Sequence, residues 1–189
     1  MKDKRRCEWP GTDLLMIDYH DTEWGKPERN DARIFRAILL DTFQAGLSWR
    51  IILNKRENFA KAFDNFDYEK IARYSEAKKA KLLKDAGIIR NHLKINGTVE
   101  NAKAFIRVRK EFGTFSKYIW GFVDNKPIVN KHKVSSSIGS TSPLSDQIAL
   151  DMKSHGFKFC GSTVTYAFMQ GMGMVNDHLT GCFRYKEVK

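Results

Sequence analysis

Cys7 and His20 near one end of the 189-residue chain, and His178 and Cys182 near the other, are two thiols and two imidazoles. Thiolate and neutral imidazole are the ligands tetrahedral zinc prefers. If the four meet in space they close a structural site that ties the chain ends together, and metal binding becomes part of the folding energy. A zinc finger keeps its ligand pairs close in sequence; this spacing would staple a whole domain. Only the His178-xxx-Cys182 pair has a spacing that a single helix supplies. The plainer alternative is two core cysteines and two ordinary histidines.

Two short stretches carry a different chemistry. Gln44-Ala45-Gly46-Leu47-Ser48-Trp49 lies between two expected helices and places a glycine, a large apolar residue and an aromatic at a turn. Trp9, Tyr19 and Trp24 flank Cys7 and His20, so a metal there would gather several rings in one place. Stacked rings suit a base extruded from a duplex; the competing reading is aromatic core at helix ends. The second stretch runs from Ser154 to Thr163. A helix ending at Gly156, a tight apolar turn closed by Gly161 and a helix starting at Ser162 leave backbone N–H groups free at a helix N-terminus, which attracts phosphate. An ordinary αα-hairpin has the same outline.

The elements that must position these residues are helices. Asn30 or Asp31 opens one whose apolar face is Ile34, Phe35, Ile38, Leu39 and Phe43, and Gly46 stops it. Ser48 is placed to cap the next, which carries Ile51, Ile52 and Leu53 and continues towards Phe59 and Phe63. Shorter helices are expected after Asp67 and after Ser75, the latter ending at Asp85-Ala86-Gly87. A long one covers Asn91 to Glu111 and ends at Gly113. The stretch from Asn125 to Pro143 reads as a connection. Ser142 and Pro143 start another helix, ended by Gly156, and Ser162 starts the last, running to about Gly173. The expected fold is all-α, a single domain over residues 1–189, with residues 1–25 packed on the C-terminal end through the metal.

Composition sets the partner class. Lys and Arg number 33 against 22 Asp and Glu, a net charge of +11, which favours a polyanion. The 42% hydrophobic content is enough to bury one core at this length. No apolar run approaches the ~20 residues of a membrane span, and the opening MKDKRRCEWP carries no apolar h-region, so neither membrane insertion nor secretion is expected. Three cysteines argue against a disulfide framework and for reduced thiols in a cytoplasmic setting. Cys160 is then a small buried hydrophobe.

Taken together, these stretches resemble the 3-methyladenine DNA glycosylase I family of bacterial alkylation-repair enzymes. The resemblance is carried by Arg6-Cys7-Glu8-Trp9, Tyr19 to Gly25, Gln44 to Trp49, Lys55-Arg56-Glu57-Asn58, Asp85 to Arg90, Gly156 to Gly161, Phe168-Met169-Gln170 and Val175 to His178, in order along nearly the whole chain. It implies a helix-hairpin-helix glycosylase fold and a structural Zn2+ on Cys7, His20, His178 and Cys182. It also implies a monofunctional N-glycosylase that flips 3-methyladenine out of double-stranded DNA and hydrolyses its N-glycosidic bond, acting as a monomer. Tyr19, Trp24 and Trp49 take the aromatic positions of the family pocket, with Trp9 close by and also counted as substrate-binding. Gly46 and Leu47 would approach the gap left by the base, and Lys158, Gly161 and Ser162 would grip the backbone.

One position departs from the pattern. The family's base-contacting glutamate, three residues before Gln44, is Asp41 here, shorter by one methylene. A narrower pocket, a bridging water or weaker recognition would each accommodate the change, and a plain capping role is the alternative. Asp177 sits beside a metal ligand and is expected to be structural. Two other classes share these features: a non-catalytic, zinc-stapled DNA-damage-binding protein, and a hydrolytic metalloenzyme. The latter needs an open metal position that four protein ligands would close.

Overall fold

The computed structural model describes residues 4–188. Ten α-helices follow one another among the described residues, and most starts are set by a capping side chain. Asp13 caps α1 (Leu14–Thr22), accepting from the N–H groups of Leu15 and Met16. Asn30 caps α2 (Asp31–Gln44) through Arg33 N–H. Next come α3 (Trp49–Asn54), α4 (Arg56–Ala62), α5 (Tyr68–Ile71) and α6 (Glu76–Lys84). Asn91 caps the longest, α7 (His92–Phe112), and Thr114 caps α8 (Phe115–Gly121). Ser142 and Ser145 form a reciprocal capping box at the start of α9 (Pro143–Ser154), and α10 (Ser162–Gly171) begins at Gly161 with no side-chain cap.

Helix α2 is the central element. Ile34, Phe35, Leu39 and Phe43 on its apolar face are almost fully buried and pack into a core shared with Phe105 and Val108 of α7, Phe115 and Trp120 of α8, and Phe168 and Met169 of α10. Asp31, the first residue of α2, accepts from Phe115 N–H, Ser116 N–H and Arg109 Nε, so one carboxylate fixes the start of α8 on α2.

Two expectations are corrected, and one open spacing is resolved. The helix expected from Ser48 to Phe63 is two, broken at Lys55, whose ammonium reaches the carbonyls of Ala86 and Gly87 instead of covering its own helix. The connection after Asn125 is not wholly irregular: β1 (Ile128–Val129) pairs in parallel with β2 (Val175–Asn176). His178 and Cys182 do not share a helix. The chain between them turns, with Cys182 N–H bonded to Leu179 O at 2.7 Å. Helices α1 and α8, for which the apolar pattern is weak or short, have no counterpart in the expected series.

Candidate active site and metal centre

The chain ends meet at a small second core of Cys7, Trp24, Leu179 and Cys182, separate from the main one. Within it the ligand atoms of Cys7, His20, His178 and Cys182 all lie within 4.8 Å of one another, and all four residues are buried. Cys7 Sγ stands 3.6 Å from His178 Nδ1, Cys182 Sγ 3.5 Å from His20 Nε2, and Cys182 Sγ 3.6 Å from His178 Nδ1. A tetrahedral cation with metal–sulfur and metal–nitrogen bonds of about 2.3 and 2.0–2.1 Å implies sulfur–nitrogen edges of about 3.6 Å. The donor set therefore fits such an ion.

The surroundings orient the ligands as well. His20 directs Nε2 inward because its Nδ1 meets Asp21 Oδ1 at 2.8 Å, and Arg6 clamps that carboxylate with Nε and Nη2. His178 directs Nδ1 inward because its Nε2 faces Trp24 O at 3.2 Å. Leu179 N–H donates to Cys7 Sγ at 3.4 Å. A histidine ligand held at its far nitrogen is the usual outer arrangement of a metal site. Hydrogen bonds from Cys7 and both imidazoles hold the Cys182 thiol well below the usual thiol range, while the contact with Cys182 and burial push Cys7 up. A divalent cation would make both thiolates. Gly25 is required here. Its φ is +79°, and a Cβ would lie 2.8 Å from His178 Nε2.

A cavity of about 380 Å³ opens beside this centre, between α1, α2, α3 and α10. Trp9, Tyr19, Trp24 and Trp49 all line it, together with Asp41, so the structure gathers the four expected aromatics and the carboxylate in one place. Trp9 packs edge-on against Trp24 and His20, with centroids 5.2 and 5.4 Å apart, and Tyr19 lies 5.2 Å from Trp49. The four-residue cluster thus adjoins one wall of the cavity, with Cys7 lining both. Asp41 is 8% exposed, and among the described residues its carboxylate has no hydrogen-bond or ion-pair partner. Burial pushes its pKa up to about 8. The Tyr19 hydroxyl is also raised, by burial first and then by Asp41 and Glu23.

The remaining expected residues lie outside the cavity, on two turns. Gly46, with φ +79° and open space around it, and the exposed Leu47 sit at the C-terminal end of α2. Lys158 and Gly161 are exposed in the turn between α9 and α10; Ser162 begins α10, and its hydroxyl is committed to Ser145 Oγ at 2.8 Å. Asp177 is buried and accepts from Asn130 Nδ2, Tyr166 Oη and Gln170 Nε2 at 2.6 to 2.8 Å, a structural arrangement as expected. Cys160 is half-buried, less enclosed than its reading as a core residue implied. Sequence reasoning missed Gln170, Met172 and Ile138 as cavity walls. Of these, only Gln170 lay in a stretch already singled out.

Comparison with known proteins gives a consistent answer. A family model described as methyladenine glycosylase matches residues 9–185. The chain is 42% identical over 180 residues to DNA-3-methyladenine glycosylase 1 of Escherichia coli K12, covering 95% of this chain and 96% of that protein. It is 43% identical over 177 residues to the DNA-3-methyladenine glycosylase of Haemophilus influenzae, with 94% and 96% covered. A crystal structure of 3-methyladenine DNA glycosylase I superposes with a TM-score of 0.92 at 42% identity, covering 95% of this chain and 98% of that one. A Staphylococcus aureus structure described as the structural basis of 3-methyladenine recognition gives 0.92 at 29% identity, with 94% and 95% covered.

Proposed function

The chain belongs to the methyladenine glycosylase family, and from that membership together with its cavity we propose how it works as a DNA-3-methyladenine glycosylase. It releases 3-methyladenine from alkylated DNA by hydrolysing the N-glycosidic bond. The observation that carries the site assignment is an aromatic-walled cavity of about 380 Å³ with one unpartnered buried carboxylate, Asp41.

Methylation at N3 leaves the base positively charged while it is attached to the sugar. When the C1′–N9 bond breaks, its electron pair goes to N9 and the base departs neutral; water adds to C1′ and gives its proton to solvent. Little acid catalysis is needed, so selecting the damaged base is the main task. Trp9, Tyr19, Trp24 and Trp49 line the site, and a ring face stacked on the cation attracts it by about 0.5–2 kcal/mol. Asp41, ionised, accepts hydrogen bonds from the base edge and matches its charge. The shorter acid stands where the family has glutamate. Asp177, saturated by three donors, has no part in the chemistry.

The basic chain grips DNA through two turns. Leu47, exposed on the loop after α2, enters the gap left by the base, with Gly46 allowing close approach. Lys158 and the uncapped N–H groups around Gly161 and Ser162 hold phosphates, the helix-hairpin-helix mode. The four-ligand cluster holds Zn2+. With every position taken by protein it supplies folding energy and a rigid wall, not a reactive water. The protein acts as a monomer in the cytoplasm.

The direct test is to incubate the purified protein with methylated duplex DNA and assay free 3-methyladenine. Release of base is expected. Binding to the damaged duplex without release would instead establish a damage-binding protein.

A further inference from the structure

Both turns proposed to meet DNA are attached to one face of α7. Lys94, Gly97, Thr98 and Asn101 recur at spacings of three and four, so they form a single stripe, and all four are buried. A core stripe is normally apolar; this one carries an ammonium, a hydroxyl, an amide and no side chain at all. What three of them hold accounts for the composition. Lys94 Nζ donates to Phe43 O at 2.8 Å and Ala45 O at 2.5 Å, in the last turn and at the cap of α2 just before Gly46 and Leu47. Asn101 Nδ2 donates to Lys158 O at 3.1 Å while Asn101 Oδ1 accepts from Lys158 N–H at 2.7 Å, a two-point clamp on the main chain of the α9–α10 turn. The same Nδ2 lies 3.2 Å from Thr42 Oγ1, next to Asp41. Gly97 makes room for the turn: a Cβ there would be 2.8 Å from the Phe159 ring. Phe159 itself has φ +57°, a left-handed conformation that persists only where neighbours over-determine it.

We infer that Asn101 is a positioning residue that sets the separation between the base-binding end of α2 and the phosphate-binding turn, with Lys94 fixing the loop on the α2 side. The inference rests on the DNA reading given above. In an extruded nucleotide the distance from base to flanking phosphate is bounded by covalent geometry. Two grips on one nucleotide must therefore be held at a matching separation, and a misplacement near 1 Å is costly. Asn101 is 1% exposed and lines neither turn's outer face, so it acts through Lys158 and Thr42 rather than on DNA.

Asn101→Leu keeps the shape and removes all three hydrogen bonds. Affinity for an abasic duplex, and kcat/KM on methylated DNA, should fall roughly tenfold. Binding of free 3-methyladenine, followed by tryptophan fluorescence, should stay unchanged, and amide exchange at residues 158–163 should accelerate. Where Asn101→Leu is too unstable to purify, Asn101→Asp decides: it keeps the acceptor for Lys158 N–H, loses both donations and should lie between. Wild-type duplex affinity in a folded variant, or an equal loss of free-base binding, overturns the inference. Base release by the wild-type protein is read separately, so failure of the glycosylase reading is distinguishable from failure of this one.

Discussion

Asp21 Oδ1 stands 2.8 Å from His20 Nδ1, while the other nitrogen of the same ring faces Cys182 Sγ at 3.5 Å. The carboxylate therefore holds the imidazole in the tautomer and orientation a metal needs. Asp21→Asn should weaken metal retention by about tenfold to a hundredfold. Competition against a chromogenic chelator measures it. Removing the ion from the parent protein should lower the melting temperature sharply, since the site joins the two chain ends; elemental analysis that finds no zinc in protein purified without chelator would end the assignment.

The glycine behind the second imidazole is as constrained as the ligands. Gly25→Ala places a methyl 2.8 Å from His178 Nε2 and forces alanine to φ +79°. About 1–3 kcal/mol of stability should be lost from the backbone conformation alone. Thermal unfolding of the variant with and without bound metal separates that cost from the loss of His178 geometry. A melting temperature equal to the parent's would show that Gly25 is replaceable.

Asp41 predicts opposite pH trends for stability and for activity. Burial lifts its carboxyl to about 8, above the unfolded value, so below pH ~4 both states hold the proton. Between pH ~4 and 8 only the folded state holds it, and this residue's stabilising contribution declines by about 1.4 kcal/mol per pH unit, then levels off. Asn cannot ionise, so Asp41→Asn should gain melting temperature relative to the parent across that window. Activity runs the other way. The cationic base needs the carboxylate, so kcat/KM should climb with pH to about 8 in the parent and be flat, and roughly tenfold or more lower, in Asp41→Asn. A pH-independent kcat/KM in the parent would remove Asp41 from recognition.

Leu47 is exposed, and its removal leaves no core cavity. Leu47→Ala should weaken binding to an abasic duplex with little change in melting temperature. The salt dependence of binding should keep its slope, because no phosphate contact is lost. Unchanged abasic affinity would place the wedge elsewhere.

Much was legible in the sequence because it is local. Capping residues Asn30, Asn91 and Ser142, the glycines after helices and the apolar face of α2 act within a few residues, so they read directly from the order of side chains. The four candidate metal ligands were readable by type, and the resemblance to a family assembled them with the four aromatics and Asp41. The sequence alone could not say whether ligands at opposite ends of the chain meet, since that depends on long-range packing. The His178-xxx-Cys182 interval was compatible with a helix but did not require one; the chain turns there, and Leu179 N–H reaches Cys7 Sγ. Tertiary structure alone decided the rest. Lys94 and Asn101 look like solvent-facing polar residues of a long helix until their carbonyl, amide and hydroxyl partners, 49 to 59 residues away, come into place. The same is true of Asp41: its type was visible at once, but a raised pKa comes from desolvation, which exists only when the walls around the carboxylate have been built.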